Sequence, residues 1–166
     1  MQPGHKRDRV ADSGKTQALR LQARADLERV RLLRRVAQLV AEGHTSEAIA
    51  RSLNISVLST NRLERQIRSG APVDEATPAD VINAHVAGEI DERAMLDQLL
   101  AMQFSLGTFD PTGGTGYVAG SWDEVQSAAA RGLLTPAQYD ELAARATFVE
   151  RPTPGDHPQQ GPRTEH

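Results

Sequence analysis

The sequence predicts an all-α protein in two parts, with a long first helix in the N-terminal domain and a small helical-hairpin domain after it. Apolar residues make up 39% of the 166 residues but aromatic residues only 4%, so the cores must consist of Leu, Val, Ile and Ala. This composition favours small helical layers over a β-sandwich. Apolar positions recur at helical spacing in the first half, and capping residues and glycines mark short helices in the remainder.

Charge is divided unevenly along the chain. The net charge is -3, but residues 1–70 hold 14 Lys and Arg against 7 Asp and Glu, whereas residues 71–166 hold 5 against 15. A basic half attracts polyanions, and an acidic half repels them and is better suited to protein partners or to solubility. We therefore expect the two halves to meet different partners.

Cysteine is absent, which excludes disulfides, thiolate catalysis and Cys-based zinc sites and is compatible with a reducing compartment. No apolar run approaches the roughly 18 residues of a membrane span. The N-terminal residues also lack the apolar core of a signal peptide. These features predict a soluble cytoplasmic protein without a membrane partner.

The first helix is expected to follow a mobile basic arm. Residues 1–15 are polar and charged without a period, and they are assigned to this disordered arm. From about Thr16 to Glu42 the apolar residues follow helical spacing, beginning with Leu19, Ala23, Leu27 and Val30. Gly43 ends the helix, because glycine adopts positive φ without a Cβ penalty.

Two short helices complete the N-terminal domain, which is assigned to residues 16–69. Thr45 caps the first of them and Ser56 caps the second, which extends to about Arg68. Asn54, one of the few non-glycine residues that tolerate the left-handed region, makes the turn between them. Residues 70–80 follow as a linker, since they contain one Gly, two Pro and three acidic residues.

The acidic domain, residues 81–149, contains an internal similarity. Segments 81–95 and 125–139 match at an offset of 44 residues, and each predicts a helix, a glycine stop, a cap and a second helix. Thr135 opens a capping box with Pro at the first helical position. The matched pairs include Val81 with Val125, Gly88 with Gly132, Ile90 with Leu134 and Asp91 with Thr135. This similarity fits either a duplication or reuse of a common helical hairpin.

The Gly-rich segment between the two copies is expected to form either a short β-hairpin or an ordered loop. Its strands would lie around Phe104–Leu106 and Tyr117–Ala119. Residues 150–166 have four prolines and no apolar residue, so they cannot bury enough surface to offset the entropy of ordering. A disordered tail is therefore predicted there.

The segment TSEAIARSLNISVLSTNRLER, residues 45–65, combines two short predicted helices, a tight turn and a set of positions that face inward. Its inward positions are Ile49, Ala50, Leu53, Ile55, Thr60 and Leu63. It resembles helix-turn-helix DNA-binding proteins, and residues 30–68 resemble the start of the module in LuxR-type response regulators. Thr60 stands where such proteins usually have Val or Ile. The resemblance implies a recognition helix in the major groove, with its N-terminal residues at the base edges.

The outward side chains of this segment suit base recognition. An amide can pair with adenine, a guanidinium with guanine, and an apolar group can contact a thymine methyl. The residues expected at the groove are Ser56, Val57, Leu58, Asn61, Arg62 and Arg65. Contacts with phosphates are expected from Thr45, Arg51 and Arg68 and from Lys6, Arg7 and Arg9 of the arm.

The expected nucleic acid is double-stranded DNA, because few aromatic residues accompany these basic residues. Single-strand and RNA binders usually stack bases on aromatic side chains. The same outward residues would also suit the solvated face of two packed helices or a protein-binding surface. Palindromic sites would require a homodimer, for which the acidic domain is the expected interface; the same domain could instead bind a protein partner.

Residues 59–100 also resemble the VbhA-type antitoxins, which silence Fic adenylyltransferases. The matching positions are Thr60 and Glu64, together with Gly88-Glu89-Ile90, while Arg65 stands where that family has a small residue. The resemblance implies that Glu64 enters the nucleotide site of a toxin. Many antitoxins also repress their own operon, so the alternative function is an antitoxin or partner-binding protein that autoregulates its operon.

Patterns of enzymes and metal sites are lacking. Residues 13–16, SGKT, do not form a phosphate loop, because Arg9 stands at the position of the first glycine and no apolar strand precedes it. The five histidines are too scattered for a metal site or a His-based triad. We expect no catalytic residues, no cofactor and no metal. The sequence predicts a bacterial or phage transcriptional regulator that binds duplex DNA at the nucleoid.

Overall fold

The computed structural model describes residues 5–105 and 120–149, with side chains from Gly14 onward. The described residues form seven helices and one two-stranded sheet. The prediction of a mainly helical protein with a long first helix is confirmed, whereas the all-α assignment is corrected by the sheet. The elements are α1 (His5–Ala41), α2 (Ser46–Leu53), α3 (Val57–Arg68), α4 (Pro78–Ala87), α5 (Glu92–Leu100), β1 (Gln103–Ser105), α6 (Trp122–Ala130), α7 (Pro136–Arg145) and β2 (Thr147–Val149).

Helix α1 begins well before the predicted start at Thr16. From His5 onward, the segment expected as a mobile arm belongs to this helix, and residues 1–4 lie outside the described part. Lys, Arg, Ala and Gln are good helix formers, and no proline follows Pro3 until α1 has ended. A helix that is already nucleated by packing extends through such residues at little cost.

The C-terminal third of α1 packs against α2 and α3. Val36, Leu39 and Ile49 are buried together, and partly buried Leu32, Leu53, Leu63 and Ile67 surround them. Gly43 has φ +85°, as predicted for the end of α1, and the His44 N–H donates to the Leu39 carbonyl at 3.1 Å. This core holds α2 and α3 against one end of the long helix.

A second core lies among the remaining elements. Its central aromatic pair is Phe104 and Trp122, whose ring centroids are 5.1 Å apart in an edge-to-face arrangement. Helices α4 to α7 supply most of the other buried residues, which are Val81, Ile82, Met95, Leu96, Leu99, Val125, Ala128, Leu134 and Leu142.

The middle of α1 packs against α4 and joins the two cores. Ala23 and Leu27 are buried against Ala87, and the Arg24 guanidinium donates to the Ala87 carbonyl. Arg34 donates to the Asp80 carboxylate at 2.7 Å and to the Glu75 carbonyl at 2.9 Å. Residues 78–80 of the predicted linker therefore belong to α4 and take part in this contact.

Strand β1 has a partner that was not predicted from the sequence. Strand β1 pairs in parallel with β2, so Phe104 lies beside Phe148, and the second predicted strand, residues 117–119, lies outside the described residues. A three-residue strand is too short for its alternation of apolar and polar residues to indicate which strand it pairs with. Moreover, a parallel partner must come from a distant segment of the chain.

The internal similarity extends through this sheet. The parallel register joins Gln103 to Thr147 and Ser105 to Val149, which preserves the 44-residue offset of the sequence repeat. Gly88 and Gly132 both have positive φ, and each N–H donates at 2.9 Å to the carbonyl three residues earlier. The repeated unit is therefore a helix, a glycine turn, a second helix and a short strand.

None of the helices in the described ranges combines the length and apolar character that crossing a bilayer would require.

Candidate nucleic-acid interface

The turn between α2 and α3 is fixed by two local features. Asn54 has φ 53° and ψ 44°, the left-handed conformation predicted from its residue type, and the Ile55 N–H donates to the Ala50 carbonyl at 3.0 Å. Ser56 then caps α3, because its side chain accepts a hydrogen bond from the Ser59 N–H at 3.1 Å. The direction in which α3 leaves the turn is therefore set by short-range hydrogen bonds.

One face of α3 lies against the rest of the N-terminal core. Thr60 is fully buried, and Leu63, Glu64 and Ile67 are partly buried, which is the i, i+3, i+4, i+7 spacing of a single helix face. The Thr60 hydroxyl donates to the Ser56 carbonyl at 3.2 Å, so a threonine is accommodated where an apolar residue would be usual.

The opposite face of α3 is exposed to solvent along its whole length. We call the exposed residues with this spacing the outer stripe: Leu58, Asn61, Arg62, Arg65 and Arg68. Leu58 has 76% of its surface exposed, and the adjacent Val57 has 40%. The outer stripe therefore combines an apolar tip, an amide and three guanidinium groups on one side of a 12-residue helix.

Arg31 and Arg34 of α1 have different surroundings from the arginines of α2 and α3. In α1, Arg31 pairs with Glu28 and Glu89, and Arg34 pairs with Asp80. The hydrogen bond from Arg31 to the Glu89 carboxylate, followed by the one to Glu28, raises the pKa of Arg31. In the part of the chain that the structure describes, no ion pair or side-chain hydrogen bond involves Arg51, Arg62, Arg65 or Arg68.

Two of the predicted contact residues serve as helix caps. The Thr45 hydroxyl accepts from the Ala48 N–H at 3.3 Å, and the Ser56 hydroxyl lies 2.8 Å from the Ser59 hydroxyl in addition to its capping bond. Both residues are exposed at the N-termini of α2 and α3. Their first role is therefore to hold the two helices in place.

The basic residues of the N-terminal segment lie far along α1 from this surface. Lys6, Arg7 and Arg9 belong to the first turns of the helix, whereas Val36 packs beside Ile49 near the start of α2. At the rise of an α-helix, the backbone of Lys6 lies about 45 Å from Val36. The backbone of these residues therefore lies towards the opposite end of α1 from α2 and α3.

The two residues of the antitoxin resemblance are engaged within the fold. Thr60 is buried, and the Glu64 carboxylate accepts a hydrogen bond from the Ser46 hydroxyl at 2.8 Å. Glu89, from the second matching segment, pairs with Arg31 of α1. Neither Thr60 nor Glu64 projects freely from the surface of α3.

A half-buried carboxylate that was not predicted from the sequence lies in α6. Glu124 accepts hydrogen bonds from the Ala79 N–H at 3.0 Å and the Gly120 N–H at 3.2 Å. Burial raises its pKa, and the nearby charge of Asp80 adds to the increase. The sequence signal for this carboxylate was the 44-residue repeat, which aligns Glu124 with Asp80, the acidic residue of the capping box of α4.

Among the described residues, no group of three His, Asp or Glu could hold a metal ion.

No protein-family model, curated protein or solved structure gives a significant match to this chain.

Proposed function

We propose that this protein binds double-stranded DNA with sequence preference through the outer stripe of α3 and acts as a transcriptional regulator. The observation that carries the proposal is a single exposed helix face that holds an amide and three arginines without an ion pair among the described residues. In this proposal α2, the Asn54 turn and α3 form a helix-turn-helix unit. Helix α3 would enter the major groove and α2 would cross the phosphate backbone.

The chemistry of the outer stripe supports base recognition. Asn61 can pair in bidentate fashion with adenine, and Arg62 and Arg65 can pair with guanine. Arg68, at the end of α3, and Arg51, in the last turn of α2, are suited to phosphates. Thr45 and Ser56, at the helix N-termini, add hydroxyl groups near the same backbone.

The distribution of ion pairs supports an anionic partner for this end of the molecule. The positive potential of a guanidinium that is paired within the fold is offset by the neighbouring carboxylate, as with Arg34 and Asp80. The arginines of α2 and α3 have no such carboxylate partner among the described residues, and neutralising phosphates with them would release counterions. A strong dependence of binding on salt concentration follows from this proposal.

The acidic domain has a separate role in the proposal. It packs on the middle of α1 and carries much of the negative charge of the chain, so it is suited to a protein partner or to a second copy rather than to DNA. A dimer would place two copies of α3 on the half-sites of a palindrome. Such a regulator would work at the nucleoid, in the cytoplasm.

The antitoxin alternative has less support. Its proposed inhibitory residue, Glu64, is hydrogen-bonded to Ser46, and its companion Thr60 is buried, so inserting Glu64 into a toxin would require α3 to leave the core. Affinity capture from the native host would support this alternative if a Fic-type adenylyltransferase co-purified with the chain while no duplex sequence was enriched.

Selection from random duplexes at a stated salt concentration tests the proposed function. We expect the full-length protein to enrich a motif, and Arg62→Ala to relax the base preference at one position of that motif by about 1–3 kcal/mol. Arg131→Ala is the matched control, because Arg131 is exposed in the acidic domain and has no ion pair among the described residues. Failure to enrich any motif, or equal losses from both variants, would contradict the proposal.

A further inference from the structure

We infer that Leu58 recognises the 5-methyl group of a thymine, which makes it a specificity-determining residue; this inference rests on the proposed function. Leu58 is 76% exposed in the first turn of α3 and belongs to none of the hydrophobic cores formed by the described residues. It is the most exposed of the large apolar residues in the described ranges. The Leu58 side chain therefore contributes little buried apolar surface to the fold.

The polar groups next to Leu58 are hydrogen-bonded to each other. The Ser56 and Ser59 hydroxyls lie 2.8 Å apart and share a hydrogen bond, and the Ser56 oxygen also accepts from the Ser59 N–H. Both hydroxyls are therefore partly satisfied within the helix terminus, and one hydroxyl hydrogen is left for a ligand. Leu58 and the partly exposed Val57 are the apolar groups that this terminus presents.

The charges of the other outer-stripe residues indicate which kind of ligand would bind this surface. Asn61, Arg62 and Arg65 follow Leu58 on the same face without an ion pair among the described residues, so the surface as a whole is complementary to an anion. In the major groove of a duplex, the apolar group that the base pairs present is the 5-methyl group of thymine. A duplex with a thymine at the N-terminal end of α3 satisfies both the apolar tip and the basic face.

The spacing along α3 sets the position of that thymine. Leu58 and Arg62 are one helical turn apart, which is about 6 Å along the axis and corresponds to about two base pairs of DNA. We therefore expect the selected motif to contain a thymine about two base pairs from the base that Arg62 contacts.

Replacing the thymine with deoxyuridine tests the inference, because the substitution removes only the methyl group. We expect the affinity of the full-length protein for the selected duplex to fall about fourfold, the value for burial of one methylene-sized group. Leu58→Ala should bind the thymine and deoxyuridine duplexes equally. Leu21→Ala is the matched control, because Leu21 is another exposed leucine, 60% exposed on α1, and it should retain the fourfold preference of the wild type.

The possible failures are distinguishable. If the wild type binds both duplexes equally, or if Leu58→Ala keeps the preference for thymine, the inference is wrong while the proposed function stands. If no duplex is bound above the level of random sequence, the proposed function fails and the inference fails with it. Circular dichroism of Leu58→Ala should match the wild type, since the residue is outside the cores.

Discussion

Arg51 differs from the arginines of the outer stripe, although all of them are exposed. It lies in the last turn of α2, the helix that crosses the backbone in the proposed complex, so it is suited to a phosphate rather than to a base. We expect Arg51→Ala to weaken binding to all duplexes by a similar factor. The slope of log K against log salt concentration should become less steep by about one unit. Fluorescence anisotropy titrations at several salt concentrations measure both effects, and a change in base preference would contradict the assignment.

Glu124 gives the folded protein a pH-dependent contribution to stability. Burial raises its folded-state pKa, so below that pKa the folded chain binds a proton that the unfolded chain does not yet hold. The contribution of this carboxyl to the free energy of unfolding therefore increases as the pH falls through the raised pKa. It becomes constant below the ordinary glutamate value, and it decreases again as the pH rises.

Denaturation of the wild type and of Glu124→Gln at a series of pH values measures this contribution. The difference between their free energies of unfolding should change in favour of the wild type on acidification within that window. Carboxyl carbon chemical shifts give the pKa of Glu124 directly. A value at or below that of an ordinary glutamate would show that its two backbone hydrogen bonds outweigh burial.

At the scale of elements, the turn between α2 and α3 depends on the backbone of Asn54. Its φ of 53° lies in the left-handed region, which costs a residue with an ordinary side chain about 1–2 kcal/mol. We expect Asn54→Ala to lower the free energy of unfolding by about 1 kcal/mol. Asn54→Gly, the matched variant, should change it little, since glycine adopts this conformation freely. Urea denaturation distinguishes the two, and equal effects would show that the side-chain amide matters more than the backbone.

The elements that were predicted correctly are those whose signals are local. Thr45, Asn54 and Ser56 occupy the predicted cap and turn positions because each role is decided by hydrogen bonds within four residues. Thr135 likewise forms the predicted capping box with Gln138. For the candidate site, the spacing of Leu58, Asn61 and Arg62 was sufficient to predict an exposed face.

The elements that were missed depend on distant parts of the chain. Strand β1 pairs with residues 44 positions later, and nothing in the three residues Gln103–Ser105 specifies that partner. The sequence repeat did contain the information, because continuing it beyond Tyr139 aligns β1 with β2. Similarly, helical spacing alone predicts that Ala23 and Leu27 lie on a buried face, but it does not show that they pack on Ala87.

At the scale of the whole molecule, α1 makes the two cores interdependent. Its C-terminal third completes the core with α2 and α3, and its middle packs on α4. We therefore expect one cooperative unfolding transition. Fluorescence of Trp122, the single tryptophan, reports on the second core, and far-ultraviolet circular dichroism reports on all helices. The two denaturation curves should coincide.

Leu27→Asp tests this interdependence, because it places a charge in the contact between α1 and α4. We expect a loss of about 3 kcal/mol in stability and a separation of the two curves, since burial of an unpaired charge is strongly unfavourable. Leu21→Asp is the control on the same helix, and it should leave the curves coincident because Leu21 is exposed. Separate transitions in the wild type would contradict the coupling.

The matched register of β1 and β2 has a consequence for the duplication origin of the repeat, one of the two origins that fit the sequence. Each strand is paired with the equivalent residues of the other repeat, so under duplication a single ancestral unit would have had to pair with a second copy on another polypeptide. Tandem fusion of the two genes would convert that association into an intramolecular one, at an effective concentration on the order of millimolar. Assembly of the sheet would then no longer depend on how abundantly the cell expresses the protein.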